Sequence, residues 1–86
     1  MPIILTRRFE RAFRSLDKQI QKKVLRALEL LDRDMGHPSL QCKLVQGTPD
    51  IYEARVDLKY RMTFQLAGDV KVLRNVDNHD ECLRRP

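Results

Sequence analysis

An α+β fold is expected from this chain, in the order β-α-α-β-β-β, with an antiparallel sheet and a two-helix hairpin packed on one of its faces. Three observations point to it. The hydrophobic period changes once, between the clusters Gly36-His37-Pro38-Ser39 and Gly47-Thr48-Pro49-Asp50. Ahead of that switch, apolar residues recur every three or four positions, the spacing of a helix face. Behind it they alternate by two, the spacing of a half-buried strand. With 86 residues, 42% apolar and 34% charged, the chain reads as one domain over 1–86. Such a chain hides roughly 60% of its unfolded surface and reaches a stability of roughly 4–13 kcal/mol. A Rossmann unit with a substrate domain, or a TIM barrel, needs more chain than this.

In Met1–Leu5 the run Ile3-Ile4-Leu5 suits an edge strand that opens the fold. Thr6 can cap the segment after it, its hydroxyl accepting from an unpaired first-turn amide. Phe9, Ala12, Phe13 and Leu16 then form one stripe of a short helix. Asp17 is a second N-cap, and Ile20, Val24, Ala27, Leu28, Leu31 and Met35 make the apolar face of a longer helix that Gly36 stops. Two such helices in sequence form an αα-hairpin with a shared apolar face. After Pro49, Tyr52, Ala54, Val56 and Leu58 of Ile51–Leu58 point one way. Tyr60, Met62, Phe64 and Leu66 do the same in Tyr60–Leu66. Ala67-Gly68-Asp69 is a hairpin connection, since Gly68 accepts positive φ. Val70–Val76 is a third strand whose inward face its imperfect alternation leaves open.

Seventeen Lys and Arg against twelve Asp and Glu give a net charge of +5, which favours a polyanionic partner. No apolar run approaches the ~18–20 residues of a membrane span, and Met1–Leu16 does not read as a signal peptide. A cytoplasmic, membrane-free protein is therefore expected. Cys42 and Cys82 make neither a disulfide scaffold nor a zinc site; they read as free thiols packed as small apolar groups. No metal and no cofactor are expected. If the hairpin covers the Tyr52/Val56/Met62/Phe64 face, Arg55 and Arg61 emerge together on the uncovered face of neighbouring strands. Two guanidiniums on an open polar sheet can read a phosphate without a pocket.

The segment IYEARVDLKYRMTFQLAGDVKVLRNVDNHDECLRRP, preceded by FRSLDKQIQKKVLRALELL and the loop HPSL, resembles the RelE/ParE superfamily of type II toxin–antitoxin toxins over roughly Ile4 to Pro86. Its most specific part is R-V-x-x-x-Y-R, followed by a hairpin and a terminal N-H-D-E motif. The resemblance implies a RelE-like β-α-α-β-β-β core and one of two activities. RelE-like members enter the ribosomal A site and cut mRNA; ParE-like members poison DNA gyrase. In the RelE-like enzymes, basic residues of the open sheet face bind the scissile phosphate. Arg61 matches the arginine of the "YR" strand and Arg55 that of the preceding strand. The chain departs from the family's H-R-x-x-V-Y type of ending, with Asp80 after His79 and Leu83 near the tyrosine position. That ending is closer to histidine-using relatives and to similar domains attached to some helicases.

RNA cleavage by this route needs a base for the 2′-OH, cations for the phosphate and an acid for the leaving oxygen. His79 is the candidate acid/base, because histidine titrates near neutrality, with Asp80 or Asp77 to orient its ring; the plainer reading is a cap of a C-terminal turn. Arg61 and Arg55 are the candidate phosphate clamps, against exposed strand arginines paired with Glu53 or Asp57. Lys59, in the turn between these strands, can reach a neighbouring phosphate. His37 reads as part of a chain reversal and Glu81 as exposed. Arg7, Arg8, Arg11 and Arg14, continued by Lys18, Lys22, Lys23 and Arg26, outnumber Glu10, Asp17 and Glu29. That face is either solvated or an rRNA-docking surface.

The leading expectation is a ribosome-dependent mRNA endoribonuclease that inhibits translation. Its rivals are a ParE-like gyrase inhibitor and an attenuated member that acts as a binding module. The resemblance implies a cognate antitoxin as partner, the ribosome and mRNA as targets, and operator DNA bound only through the antitoxin complex.

Overall fold

A computed structural model describes residues 2–86; Met1, the first residue of the expected opening segment, lies outside them. Strand β1 (Ile3–Leu5) runs straight into helix α1 (Arg7–Arg14). Thr6 is the cap, as expected: its hydroxyl accepts from Phe9 N–H at 3.1 Å and donates to the Leu73 carbonyl at 2.7 Å. One side chain thus starts the helix and ties it to a strand far along the sequence. Asp17 caps α2 (Lys18–Arg33) by accepting from Ile20 N–H at 3.0 Å. The end of α2 differs from expectation. It stops at Arg33, with Asp34 extended and accepting Gly36 N–H at 2.9 Å, so the stop is an Asp-centred turn and not a left-handed glycine.

A single 3₁₀ turn (Pro38–Leu40) leads to the two-residue strand β2 (Lys43–Leu44), then β3 (Ile51–Arg55), β4 (Tyr60–Ala67), β5 (Val70–Asn78) and helix α3 (His79–Arg84). The sheet order is β1-β5-β4-β3-β2. All neighbours are antiparallel except β1, which lies parallel to β5. The helices, turns and hairpin between β1 and β5 supply the long connection that parallel pairing requires. Between β4 and β5 the only positive φ in the hairpin, +62°, falls on Gly68, the first central residue, as a type II′ turn demands.

Phe9, Val24, Ala27 and Leu31 pack with Leu40 onto Ala54, Met62, Phe64, Leu73 and Val76, so both helices cover one face. Tyr52 stacks on Phe64 at 5.7 Å between ring centroids. The broken alternation in β5 has a physical cause. Thr63 pairs with Asn75 while Phe64 pairs with Leu73, leaving Arg74 as a bulge, so Leu73 and Val76 both reach the core from positions three apart. Strand β3 ends at Arg55, short of the expected Leu58, which is 81% exposed beyond it.

The second face is not bare. Asn78 caps α3 by accepting Glu81 N–H at 3.0 Å, and α3 turns back over β4 and β5. Cys82 is fully buried there, with Thr63 and Glu53 of the same face. This corrects the expectation of an uncovered sheet surface. The sequence HDECLR carries too few apolar residues to announce a helix, but Cys82 is enough to seat one. No helix among the described residues is long and apolar enough to cross a membrane.

Candidate functional site

The turn between β3 and β4 is organised by Asp57. Its Oδ1 accepts from the backbone N–H of Lys59 at 2.9 Å and of Tyr60 at 2.8 Å, and its Oδ2 meets Lys23 Nζ at 3.1 Å. Partial burial pushes this carboxyl up, but the Lys59 amide, the Lys23 ammonium and the Tyr60 amide outweigh it and hold it below the usual value. From the sequence, Asp57 is no more than a pairing option for Arg61. The short D-L-K-Y turn, an aspartate two residues before an amide it can cap, is the signal for the role it plays.

Onto this turn the chain bolts the end of β5: His79 N–H donates to the Lys59 carbonyl at 2.7 Å. Lys59 and His79, twenty positions apart, therefore share one rim of the molecule, both exposed. His79 Nδ1 lies 3.2 Å from Asp80 Oδ1, with the ring 48% and the carboxylate 87% exposed. With Nδ1–H directed at Asp80, Nε2 is left as the free acceptor.

Arg61 and Arg55 are directly opposed across β3 and β4, and Arg61 is also opposite Asp77 of β5. Their environments differ. Arg61 is only 16% exposed; its Nη1 donates to the Asp57 carbonyl at 2.8 Å and the Tyr60 carbonyl at 3.2 Å, and its Nε stands 3.7 Å from Glu53 Oε1. This fork is already committed to its own turn, with Nη2 outside those bonds. Arg55, half-buried, has no carboxylate within ion-pair distance among the described residues.

Arg7, Arg8, Arg11 and Arg14 are exposed along α1. Arg8 reaches the C-terminal segment: its Nη1 donates to the Pro86 carbonyl at 3.1 Å and its Nη2 to the Arg85 carbonyl. Arg74 Nε, at 3.2 Å from Pro86 O, and Asn75 Nδ2, at 3.0 Å from Arg85 O, hold the same segment. Arg14 borders an apolar hollow with Phe9, Phe13 and Leu28. None of these contacts joins the α1 arginines to the His79–Lys59 rim.

Burial pushes the thiols of Cys42 and Cys82 up to about 11, so both are protonated near neutral pH and neither is an activated nucleophile. Among the described residues, no three or more His, Cys, Asp or Glu side chains are gathered to hold a metal ion. What the rim offers is an exposed imidazole beside Asp80 and an exposed lysine whose backbone carbonyl holds the His79 amide; Arg61 lies opposite Asp77, two residues before His79, while Arg55 lines hollows beside α2 with Lys23 and Ser39.

No family model matches the chain, and no curated protein matches it. Solved structures do. The RelE of a RelB–RelE antitoxin–toxin complex from Methanococcus jannaschii is 18% identical, with a TM-score of 0.77 over 91% of this chain and 92% of that one. YafQ from Escherichia coli is 13% identical, with a TM-score of 0.77 over 92% and 93%. A YoeB/ParE toxin from Agrobacterium tumefaciens is 12% identical, with a TM-score of 0.76 over 92% and 99%. This chain therefore has the α+β fold of the RelE, YafQ and YoeB/ParE toxins.

Proposed function

We propose that this chain is a type II toxin that cleaves mRNA on the ribosome, with the His79–Lys59 rim as its active site. The observation that supports the reading is the 2.7 Å backbone bond from His79 N–H to the Lys59 carbonyl, which brings the main chain of a histidine and of a lysine together at the β3–β4 turn of a RelE-type sheet. His79 Nε2 takes the proton of a ribose 2′-OH. The 2′-oxygen then attacks the adjacent phosphorus, and the bond to the 5′-oxygen breaks as that oxygen takes up a proton. The products are a 2′,3′-cyclic phosphate and a 5′-hydroxyl. Asp80 orients the ring. Lys59, Arg55 and the remaining Nη2 of Arg61 balance the charge that gathers on the phosphate.

The partner of such a toxin is an antitoxin. Similar chains from Methanococcus jannaschii, Pyrococcus horikoshii and Escherichia coli occur in antitoxin–toxin complexes, and the +5 charge of this chain suits an acidic binding segment. The test is primer extension on mRNA translated by purified ribosomes. Wild type should cut within the translated region, His79→Ala should lose about 100-fold or more in rate, and Lys59→Ala about tenfold, in the range of a general base and a peripheral charge. Undiminished cleavage by His79→Ala rejects the site. Wild-type induction that damages DNA without cutting mRNA rejects the activity in favour of a gyrase inhibitor.

A further inference from the structure

We propose that a cationic furrow leading away from the His79–Lys59 rim, between α2, the 3₁₀ turn and the end of β3, is a track for the single-stranded RNA that flanks the cut. This inference rests on the RNA-cleaving reading and adds a second site to it. Two hollows form the furrow. The first, about 200 Å³, has Lys23, Arg26, His37 and Arg55 on its walls and Ala27, Leu30, Leu40 and Val56 within it. The second continues from it, sharing Lys23, Ser39, Arg55 and Val56, and runs on to Asp57 and Leu58. Leu58 is the chain neighbour of Lys59, so the furrow ends at the same β3–β4 turn whose Lys59 carbonyl holds the His79 amide.

The charge of this furrow has few internal partners. Arg26 and Arg55 have no carboxylate within ion-pair distance among the described residues. Lys23 meets Asp57, whose other oxygen is already engaged by two backbone amides. His37 adds a directed donor. Its Nδ1 accepts Ser39 N–H at 3.1 Å, which places the proton of the neutral ring on Nε2. Three permanent cations and one imidazole N–H against one occupied carboxylate fit phosphodiester oxygens. The apolar surfaces between them fit the face of a sugar or base, and Leu58, 81% exposed at the mouth, offers a base an apolar platform. An acidic peptide would match the charges. The continuity with the imidazole rim is what favours the nucleotide strand, because an RNA held at His79 must leave along some surface.

The experiment is an amide chemical-shift titration of the full chain with a single-stranded RNA hexamer carrying a 2′-deoxy substitution at the bond to be cut. It is repeated at several salt concentrations with Arg26→Ala and with the control Arg33→Ala, which removes a cation elsewhere on α2. Expected are shifts at residues 23, 26, 37, 39, 40 and 55–58. Arg26→Ala should bind about fivefold more weakly and lower the log–log salt slope by about 0.7, while Arg33→Ala should leave both near wild type. Equal losses in the two variants, or shifts that avoid residues 37, 39 and 40, overturn the track. So does displacement of the furrow shifts to an acidic peptide with no response to RNA. Cleavage is scored separately: if Arg26→Ala and His37→Ala cut mRNA like wild type while His79→Ala does not, the furrow is rejected and the proposed function stands.

Discussion

Replacing Arg61 by alanine is expected to cost the fold before it costs any chemistry. The guanidinium donates twice from Nη1 to carbonyls of its own turn and faces Glu53, whose side chain is only 7% exposed. A hydrogen bond from a charged group contributes ~1.5–3 kcal/mol, and stripping one partner from a buried ion pair costs ~3–5 kcal/mol. These terms overlap, the 3.7 Å separation from Glu53 is long, and the alanine site lets water in. About 2–4 kcal/mol is the sum to expect, against a total stability of roughly 4–13 kcal/mol for a chain of this length. At ~4–8 °C per kcal/mol for a small domain, the melting temperature should fall by about 8–32 °C. Urea and thermal melts monitored by circular dichroism measure this directly. Much of the penalty comes from a stranded carboxylate, so the double variant Glu53→Gln/Arg61→Met should melt above Arg61→Ala alone. A drop of less than about 4 °C for Arg61→Ala, or a double variant less stable than the single one, refutes the reasoning. Arg61 would then be free to act wholly on substrate. Activity of any Arg61 variant is therefore informative only at temperatures where its folded fraction has been measured.

Asp57 and Thr6 give two further tests. The Asp57 carboxyl is held below its ordinary 3.8 in the folded chain, so on acidification the unfolded state takes up the proton first. Its stabilisation is complete above the unfolded value and disappears as pH falls through the lower folded one. Asp57→Asn should accordingly flatten the loss of melting temperature below about pH 4, and an unchanged acid limb would contradict the assignment. Thr6→Ala removes both the cap of α1 and the 2.7 Å bond to Leu73. It should lower stability in denaturant melts by about 1–2 kcal/mol, whereas Thr6→Ser, which keeps the hydroxyl, should recover most of that.

Features fixed by near neighbours were legible in the sequence. Thr6 and Asp17 announced both helix starts because a cap involves residues only three apart, and Ala54, Met62 and Phe64 showed their inward face by alternation alone. The α+β order and the placing of Arg55 and Arg61 on neighbouring strands came from the same local patterns, whereas their direct opposition and the helix covering that face did not. What stayed hidden depends on distant partners. The broken alternation of Val70–Val76 hinted at an irregularity but not at its place, Arg74, which is set by Leu73 and Val76 both meeting the helices. The helix after Asn78 is seated by one buried cysteine against Thr63, a contact across the sheet. The register of the cations was equally hidden. Arg61 appeared as free as Arg55 until the carbonyls of its own turn were seen to occupy it, and Lys23, Arg26 and His37 share a wall only because the 3₁₀ turn folds back beside α2.

The extra residue in the last strand has a consequence for the end that carries His79. Upstream of Arg74, spacing is set by the parallel edge and the helix above it; downstream, the count restarts and runs uninterrupted to the imidazole. The insertion thus separates two rulers, so that changes in side-chain bulk near the first edge need not be transmitted to the His79–Lys59 rim. The unbroken register from Asn75 to Asn78 is what brings the His79 amide level with the Lys59 carbonyl, so a residue lost or gained after position 74 would part the two.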